Sequence, residues 1–294
     1  MPIPESQLET WSRQGSVAQS SSTYATIKNS LEAFGNPYPS QSFEVFLQGS
    51  YGNDTNIYGD SDVDLIIRFD AIYYYDITLL APEEGQAFRA THPAAIYIYK
   101  DFKDSVYTVL KSSFGNEVNP GKKAFKVEQN GNRRKADVLV ATQYRRYRKF
   151  SYSSELFDLG ICFINDVGEL VANYPKQHNL NCTAKHQGTA EWYKPTVRVL
   201  KNLRNKLVEN RSISKDTAPS YFLEGLLYNV PKEKFGKSYR DTLDGCINWI
   251  SEADRNKLVC ANEQYYLLGN SLATWPVSNF ELFLAELKKF LVSS

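Results

Sequence analysis

Three carboxylates and a glycine–serine pair stand out in this 294-residue chain. Asp62 and Asp64 flank Val63 at the mouth of the apolar block VDLIIRF. Residues two apart in a strand face the same side, so the two acids project together. Asp137 stands alone in ADVLVA, between Ala136 and Val138, where an unpaired buried carboxylate is costly unless a cation neutralises it. Hard oxygen donors suit magnesium, with manganese as a substitute. Two such ions about 4 Å apart can clamp the attacking and leaving oxygens of an in-line phosphoryl displacement. Gln48-Gly49-Ser50 closes the short run FEVFLQ. Its backbone N–H groups and hydroxyl can meet a triphosphate without a bulky side chain in the way. Taken singly, Gly-Ser is an ordinary turn and Asp-Val-Asp an ordinary strand start; only their order and spacing together point to chemistry.

The elements that must position these groups are legible from periodicity. Leu8, Trp11, Val17, Tyr24, Ile27, Leu31 and Phe34 fall at mostly helical intervals and predict one long N-terminal helix before the breakers of GNPYPS. FEVFLQ and VDLIIRFD read as strands on either side of the polar excursion YGNDTNIYGDS. A helical stretch carrying Ala87, Phe88, Phe102, Val106, Val109 and Leu110 then leads to the hairpin AFKVEQ, NGN, RRKADVLVA. A second hairpin is formed by LGICFIN and ELVAN and ends at Pro175. The Asn-rich stretch NLNCTAKH reads as a connector. From about Gln187 onward VRVLKNLRNKLV, SYFLEGLLYNV, YRDTLDGCINWI and NFELFLAELKKFL all carry helical apolar spacing.

Composition narrows the partners. Thirty-four Lys and Arg against thirty-three Asp and Glu leave none of the basic excess that holds long nucleic acid by charge alone, so a bound polyanion should be small. Cys162, Cys182, Cys246 and Cys260 show no paired short spacing and MPIPESQLET no apolar signal core, so disulfides and export are not expected and a reducing cytoplasm is. No apolar run is long enough to cross a bilayer. The basic runs at 133–135 and 145–149 read as solvated faces, with contact to nucleic acid or to a small anionic regulator as the alternatives. His178, Cys182 and His186, spaced by four, invite a zinc reading that lacks an evident fourth ligand. His92, beside Pro93, needs no functional explanation.

The order strand, Gly-Ser turn, Asp-x-Asp on a strand, then a third Asp on a later strand resembles the nucleotidyltransferase superfamily of polymerase β, CCA-adding enzymes and oligoadenylate synthases. KADVLVATQYRRY, LVANYPKQH, EWYKPTVRVLKNLRNKL and APSYFLEGLLYNVP are similar to the bacterial cGAS/DncV-like nucleotidyltransferases (CD-NTases), clade E in particular, over nearly the whole chain. The resemblance implies an α+β fold: a polymerase-β-like core with a mixed β-sheet, spanned by the long N-terminal helix and packed against a C-terminal helical lobe. Residues 1–180 would form the core and 181–294 the lobe that closes an active-site cleft. It implies a magnesium-dependent synthase of cyclic dinucleotides in anti-phage (CBASS) signalling, a cytoplasmic monomer that needs no nucleic acid and whose product acts on a separate effector. Asp62, Asp64 and Asp137 match the family's metal-binding triad, which holds two ions, and Gly49 and Ser50 its phosphate-binding pair. Lys201 matches a lysine that reaches the donor triphosphate. Ser220 and Tyr221 match a pair in which serine contacts phosphate and tyrosine stacks on a base. Lys201 as a solvated helix lysine and Tyr221 as plain core packing, among 20 tyrosines, are the competing structural roles.

Base choice rests on one position. Strand alternation in LGICFIN places Cys162 toward a base, where relatives carrying asparagine favour uracil, with Asn165 as the alternative. The expectation is an adenine-containing product made from ATP, with UTP open. Two rival readings remain at this level: a transferase acting on RNA, a protein or a small molecule, and a non-catalytic nucleotide or RNA sensor. The complete triad argues against the sensor.

Overall fold

The structure is a computed structural model in which residues 3–38, 42–58, 62–92 and 98–293 are described. The chain parts into two compact units that interleave along the sequence. One gathers Met1–Val17, Gly49–Asp60 and Pro175–Ser294; the other gathers Ala18–Gln48 and Ser61–Tyr174. This differs from a contiguous division at residue 180. The first helix and the segment after the Gly-Ser turn cluster with the C-terminal helices, because they pack and hydrogen-bond there.

The second unit is built on a mixed sheet. Among the described residues its strands are β1 (Phe43–Leu47), β2 (Val63–Asp76), β3 (Val118–Pro120), β4 (Phe125–Val127), β5 (Ala136–Ser151), β6 (Ser154–Ile164) and β7 (Leu170–Asn173). β1 pairs antiparallel with β2, β2 parallel with β5, and β5 antiparallel with both β4 and β6. β6 in turn pairs with β7, with Ile161 opposite Asn173. Both expected hairpins are therefore present. The parallel β2–β5 pair lies at the centre, which is why both strands read as nearly unbroken apolar runs. Helix α2 (Ala18–Leu31) and α5 (Tyr99–Phe114) cover one face. Phe102 of α5 stacks on Phe69 of β2 at 4.7 Å, and the Tyr99 hydroxyl donates to the Val140 carbonyl at 3.1 Å. Helix α4 (Pro82–Thr91) seats Phe88 against Tyr147 and Phe150 of β5. His92 stacks on Phe88 at 4.0 Å, meets Tyr73 and Phe150 edge-on, and brings Nε2 to 3.7 Å from Glu155.

The first unit is helical: α1 (Glu5–Ser12), the short turn α3 (Gly49–Gly52), α6 (Pro175–Gly188), α7 (Tyr193–Glu209), α8 (Ser220–Asn229), α9 (Tyr239–Glu252) and α10 (Val277–Ser293). Leu8 of α1 lies in one buried cluster with Leu200, Leu203 and Leu207 of α7, Leu223 and Leu226 of α8, and Trp275.

Two expectations need correction. The N-terminal helix is not continuous, since α1 ends at Ser12 and α2 starts at Ala18. Gly15 between them donates its N–H to the Asn56 carbonyl at 3.1 Å, and a Cβ there would lie 2.6 Å from the Ile57 oxygen. That close backbone approach needs glycine and breaks the helix. The stretch NLNCTAKH is not a connector but the body of α6. Pro175 opens that helix at a position where its missing N–H costs nothing, and Lys185 in the last turn favours its C-terminal dipole.

Candidate active site

In the sheet unit, Asp64 stands directly opposite Asp137 across the parallel β2–β5 pair. Residues in register on neighbouring strands share a face, so both carboxylates leave the sheet on the same side. Asp62, just before β2, has Lys135 Nζ 3.6 Å from its Oδ2. Asp137 Oδ1 is buried and has no hydrogen-bond partner. Burial, and then the negative charge of Asp62, push the Asp137 carboxyl above the ordinary range, with Lys135 and Lys126 pulling the other way. A buried carboxylate oxygen without a partner, beside like charge, is an environment that a bound cation would stabilise. The donor set is all carboxylate oxygen, which fits a hard divalent ion such as magnesium.

The same register moves Cys162 out of the site. Cys162 lies opposite Thr142, and Thr142 is five residues from Asp137 on one uninterrupted strand. An odd separation puts the two on opposite faces. Cys162 is fully buried, with Sγ 3.2 Å from Thr142 Oγ1, and burial pushes its thiol up to about 12. It lies on the face of the sheet opposite Asp64 and Asp137, on the side where Phe69 meets α5. Asn165 sits in the β6–β7 turn, where its Oδ1 accepts from the N–H groups of Val167 and Glu169. Cys162→Asn is accordingly expected to leave nucleotide incorporation unchanged and to lower stability by about 1–3 kcal/mol, since an amide there loses its water without gaining a full set of partners. Thermal melting and single-triphosphate omission assays on the same variant check both halves.

In the helical unit Gly49 is exposed and has φ +63°, a left-handed conformation that favours glycine. The turn is closed by two backbone bonds, from the Asn53 N–H to the Gly49 carbonyl at 3.0 Å and from the Thr55 N–H to the Ser50 carbonyl at 2.9 Å. Gln48, which precedes it and belongs to the sheet unit, donates its N–H to the Asp64 carbonyl at 3.0 Å.

Beneath the turn, α7 presents cations to the segment that follows it. Lys194 pairs with Asp54 at 2.9 Å, Arg198 Nη1 donates to the Asp54 carbonyl at 2.6 Å, and Lys201 Nζ donates to the Thr55 carbonyl at 2.9 Å. Lys201 is completely buried, so it is neither a solvated helix lysine nor extended toward solvent. Ser220 opens α8. The Tyr221 ring stacks on His178 at 4.7 Å and 24°, and its hydroxyl accepts from Asn262 Nδ2 at 2.9 Å.

Sequence reasoning missed Glu224. It is 2 % exposed on α8 and accepts hydrogen bonds from Asn53 Nδ2 at 2.9 Å, from Thr55 Oγ1, and from His178 Nε2 at 2.6 Å. The available signal was a lone acid inside the apolar helix SYFLEGLLY. His178, Cys182 and Glu224 bring their ligand atoms within 4.8 Å of one another. His186 does not join them; its Nδ1 accepts from the Lys194 N–H at 3.4 Å. The Glu224 oxygens accept from Asn53, Thr55 and His178, and the Cys182 sulfur lies 3.2 Å from the Tyr193 hydroxyl, while His178 Nδ1 is buried without a hydrogen-bond partner; among the described residues no fourth ligand joins the three, one short of a closed tetrahedral zinc site.

Several side chains of the basic runs have partners within the sheet unit. Arg133 pairs with Glu117, Arg146 with Asp76 at 3.6 Å and Arg148 with Asp158 at 2.6 Å, while Arg145 lies 3.9 Å over the Tyr73 ring. Among the described residues no helix is long and apolar enough to cross a membrane, and all four cysteines are free and buried.

Comparison with known proteins gives this geometry its context. Residues 180–292 match the cGAS/DncV-like nucleotidyltransferase C-terminal helical domain. The chain is 40% identical over 286 residues to the cyclic UMP-AMP synthase of Rhodothermus marinus, covering 97% of this chain and 96% of that one. The structure of Rhodothermus marinus CdnE c-UMP-AMP synthase with Apcpp and Upnpp is similar with a TM-score of 0.88 and 38% identity, over 99% of this chain and 97% of the other. That of Elizabethkingia meningoseptica CdnE cyclic dinucleotide synthase with GTP and Apcpp follows at 0.77 and 28%, over 98% and 99%. A turn that needs glycine, two aspartates facing each other across parallel strands, and near end-to-end likeness to these synthases agree: the chain belongs to the cGAS/DncV-like nucleotidyltransferases, in their clade E branch of cyclic dinucleotide synthases.

Proposed function

We propose that this enzyme condenses nucleoside triphosphates, ATP among them, into a cyclic dinucleotide with release of pyrophosphate, and that the product signals to a separate effector in anti-phage defence. The observation that carries the reading is the facing pair Asp64 and Asp137 with an orphaned, buried oxygen on Asp137. Asp62, Asp64 and Asp137 would hold magnesium, or manganese in its place. Bound there, the ion supplies Lewis-acid stabilisation of charge on the reacting phosphate and the departing pyrophosphate. Asp137 orients the attacking 3′-hydroxyl and is the group placed to take its proton. The Gly49–Ser50 turn offers backbone N–H groups and a hydroxyl to the donor triphosphate, with Gln48 leading into it and Ser220 as a further phosphate contact. Lys201 supports the same function through the Thr55 carbonyl it holds. Tyr221 offers a ring face for a base. After the first bond, the linear dinucleotide re-enters the same site for ring closure. A cytoplasmic monomer acting without nucleic acid is part of this reading.

The relatives differ in their bases, with Apcpp and Upnpp bound to one and GTP and Apcpp to the other, so the bases must be measured. The protein is incubated with four radiolabelled triphosphates and magnesium or manganese, treated with phosphatase and chromatographed. A phosphatase-resistant product that vanishes in Asp62→Asn/Asp64→Asn supports the proposal, and omitting one triphosphate at a time names the bases. Product from the double variant would overturn it.

A further inference from the structure

Glu224 reaches the phosphate turn through the two residues that close it. The N–H of Asn53 caps the Gly49 carbonyl and the N–H of Thr55 caps the Ser50 carbonyl, and the side chains of these same two residues donate to the Glu224 carboxylate. Lys201 takes the Thr55 carbonyl, and Asn179, next to His178 on α6, donates to the Gly52 carbonyl and to Asn53 Oδ1. The segment after the turn is thereby tied to α6, α7 and α8 at once, and Glu224 is the acceptor that Asn53, Thr55 and His178 share. On its other side the carboxylate meets His178, whose ring lies flat against Tyr221.

A buried ion pair is a poor source of net stability, because desolvation offsets most of the Coulomb attraction. Its physical value lies in geometry: a carboxylate with several donors converging on it fixes each of them in direction and distance. Here the donors are the residues that set the conformation of Gly49 and Ser50, and the counter-ion backs the Tyr221 ring. We propose that Glu224 is a positioning residue that presets the Gly49–Ser50 turn for a triphosphate, with His178 as the counter-ion that couples this turn to the Tyr221 platform. The inference rests on the assignment of Gly49–Ser50 to the donor phosphates.

The test measures binding of the methylene-bridged ATP analogue Apcpp and of AMP, each with magnesium, by calorimetry on the full chain. Glu224→Gln keeps shape and removes charge. Thr55→Val keeps volume and removes one donor, and leaves the His178–Glu224 pair intact should Glu224→Gln fold poorly. Each is expected to weaken Apcpp at least tenfold and AMP less than threefold, because the turn serves the β- and γ-phosphates. The double variant should lose little more than Glu224→Gln alone, as two members of one network do. Equal weakening of Apcpp and AMP, or unchanged affinity with only a lower melting temperature, would reduce Glu224 to a structural residue and overturn the proposal. Ser50→Ala separates the two levels. If it weakens Apcpp while Thr55→Val and Glu224→Gln do not, the phosphate turn stands and the positioning role falls; if Ser50→Ala has no effect either, the assignment of the turn itself fails.

Discussion

Asp137→Asn is expected to abolish synthesis, by on the order of 10³-fold or more, and at the same time to raise the melting temperature of the magnesium-free protein. The two effects share one cause. Asp137 Oδ1 is buried without a partner, and the carboxylate is further opposed by Asp62. Keeping a charge there costs stability until a cation arrives, and an amide of the same shape removes that cost. Relief of about 1–3 kcal/mol corresponds to a rise of roughly 2–12 °C in a unit of this size. Magnesium should then raise the melting point of the parent protein by mass action and leave the variant nearly unmoved. Calorimetric scans of both proteins with and without magnesium read all four values. A lower melting point for the variant in the absence of metal would mean that the carboxylate is already satisfied and would remove the physical argument for an ion beside it.

How far the sequence carried the site depended on where each signal lies. Asp62, Asp64 and Asp137 were legible because a carboxylate inside an apolar strand is an anomaly that needs a reason, and because strand alternation alone puts Asp62 and Asp64 on one side. That Asp137 faces Asp64 was not legible, since parallel register between residues more than seventy positions apart is set by tertiary packing. The same blindness explains Cys162. Alternation within LGICFIN says which residues share a face, but only the register opposite Thr142 says which face it is. The helical unit was recognised by period, and α6 was missed because Asn, Cys, Thr and His in its middle turns mask a buried face held by polar contacts. Glu224 was missed for a related reason: its partners Asn53, Thr55 and His178 lie at least forty residues away in sequence. The break between α1 and α2 depended on Gly15, whose need for glycine is visible only once Ile57 is beside it.

Replacing His178 by Leu should produce the largest loss of stability among the substitutions considered, and a loss that depends on pH. Burial alone would lower the His178 pKa, but Cys182 and Glu224 outweigh it and hold the imidazole up to about 10. Glu224 is penalised by burial and is nevertheless held below the ordinary glutamate range by His178, Thr55 and Lys201. At neutral pH the two are therefore a charged pair, faced by Cys182, Tyr221 and Lys201. Removing one member of a buried pair leaves the other charge undercompensated, at a cost of about 3–5 kcal/mol, or roughly 6–20 °C in melting temperature. The sign with pH follows from the direction of each shift. A histidine whose pKa rises on folding contributes stability that is complete below about 6.5, its unfolded value, and is lost as pH climbs through about 10. A glutamate whose pKa falls on folding contributes stability that is present above the ordinary glutamate range and lost as pH drops through the lowered value. The difference in melting temperature between the parent and His178→Leu should thus be widest in mildly acidic to neutral solution and shrink as pH rises toward 10. A difference that stays constant from pH 6 to 10.5 would show that His178 is a neutral donor to Glu224. The double variant His178→Leu/Glu224→Met should recover part of the loss, because the uncompensated charge is gone. Recovery should stop short of the parent, since Asn53 and Thr55 would still lack the acceptor that now orders them.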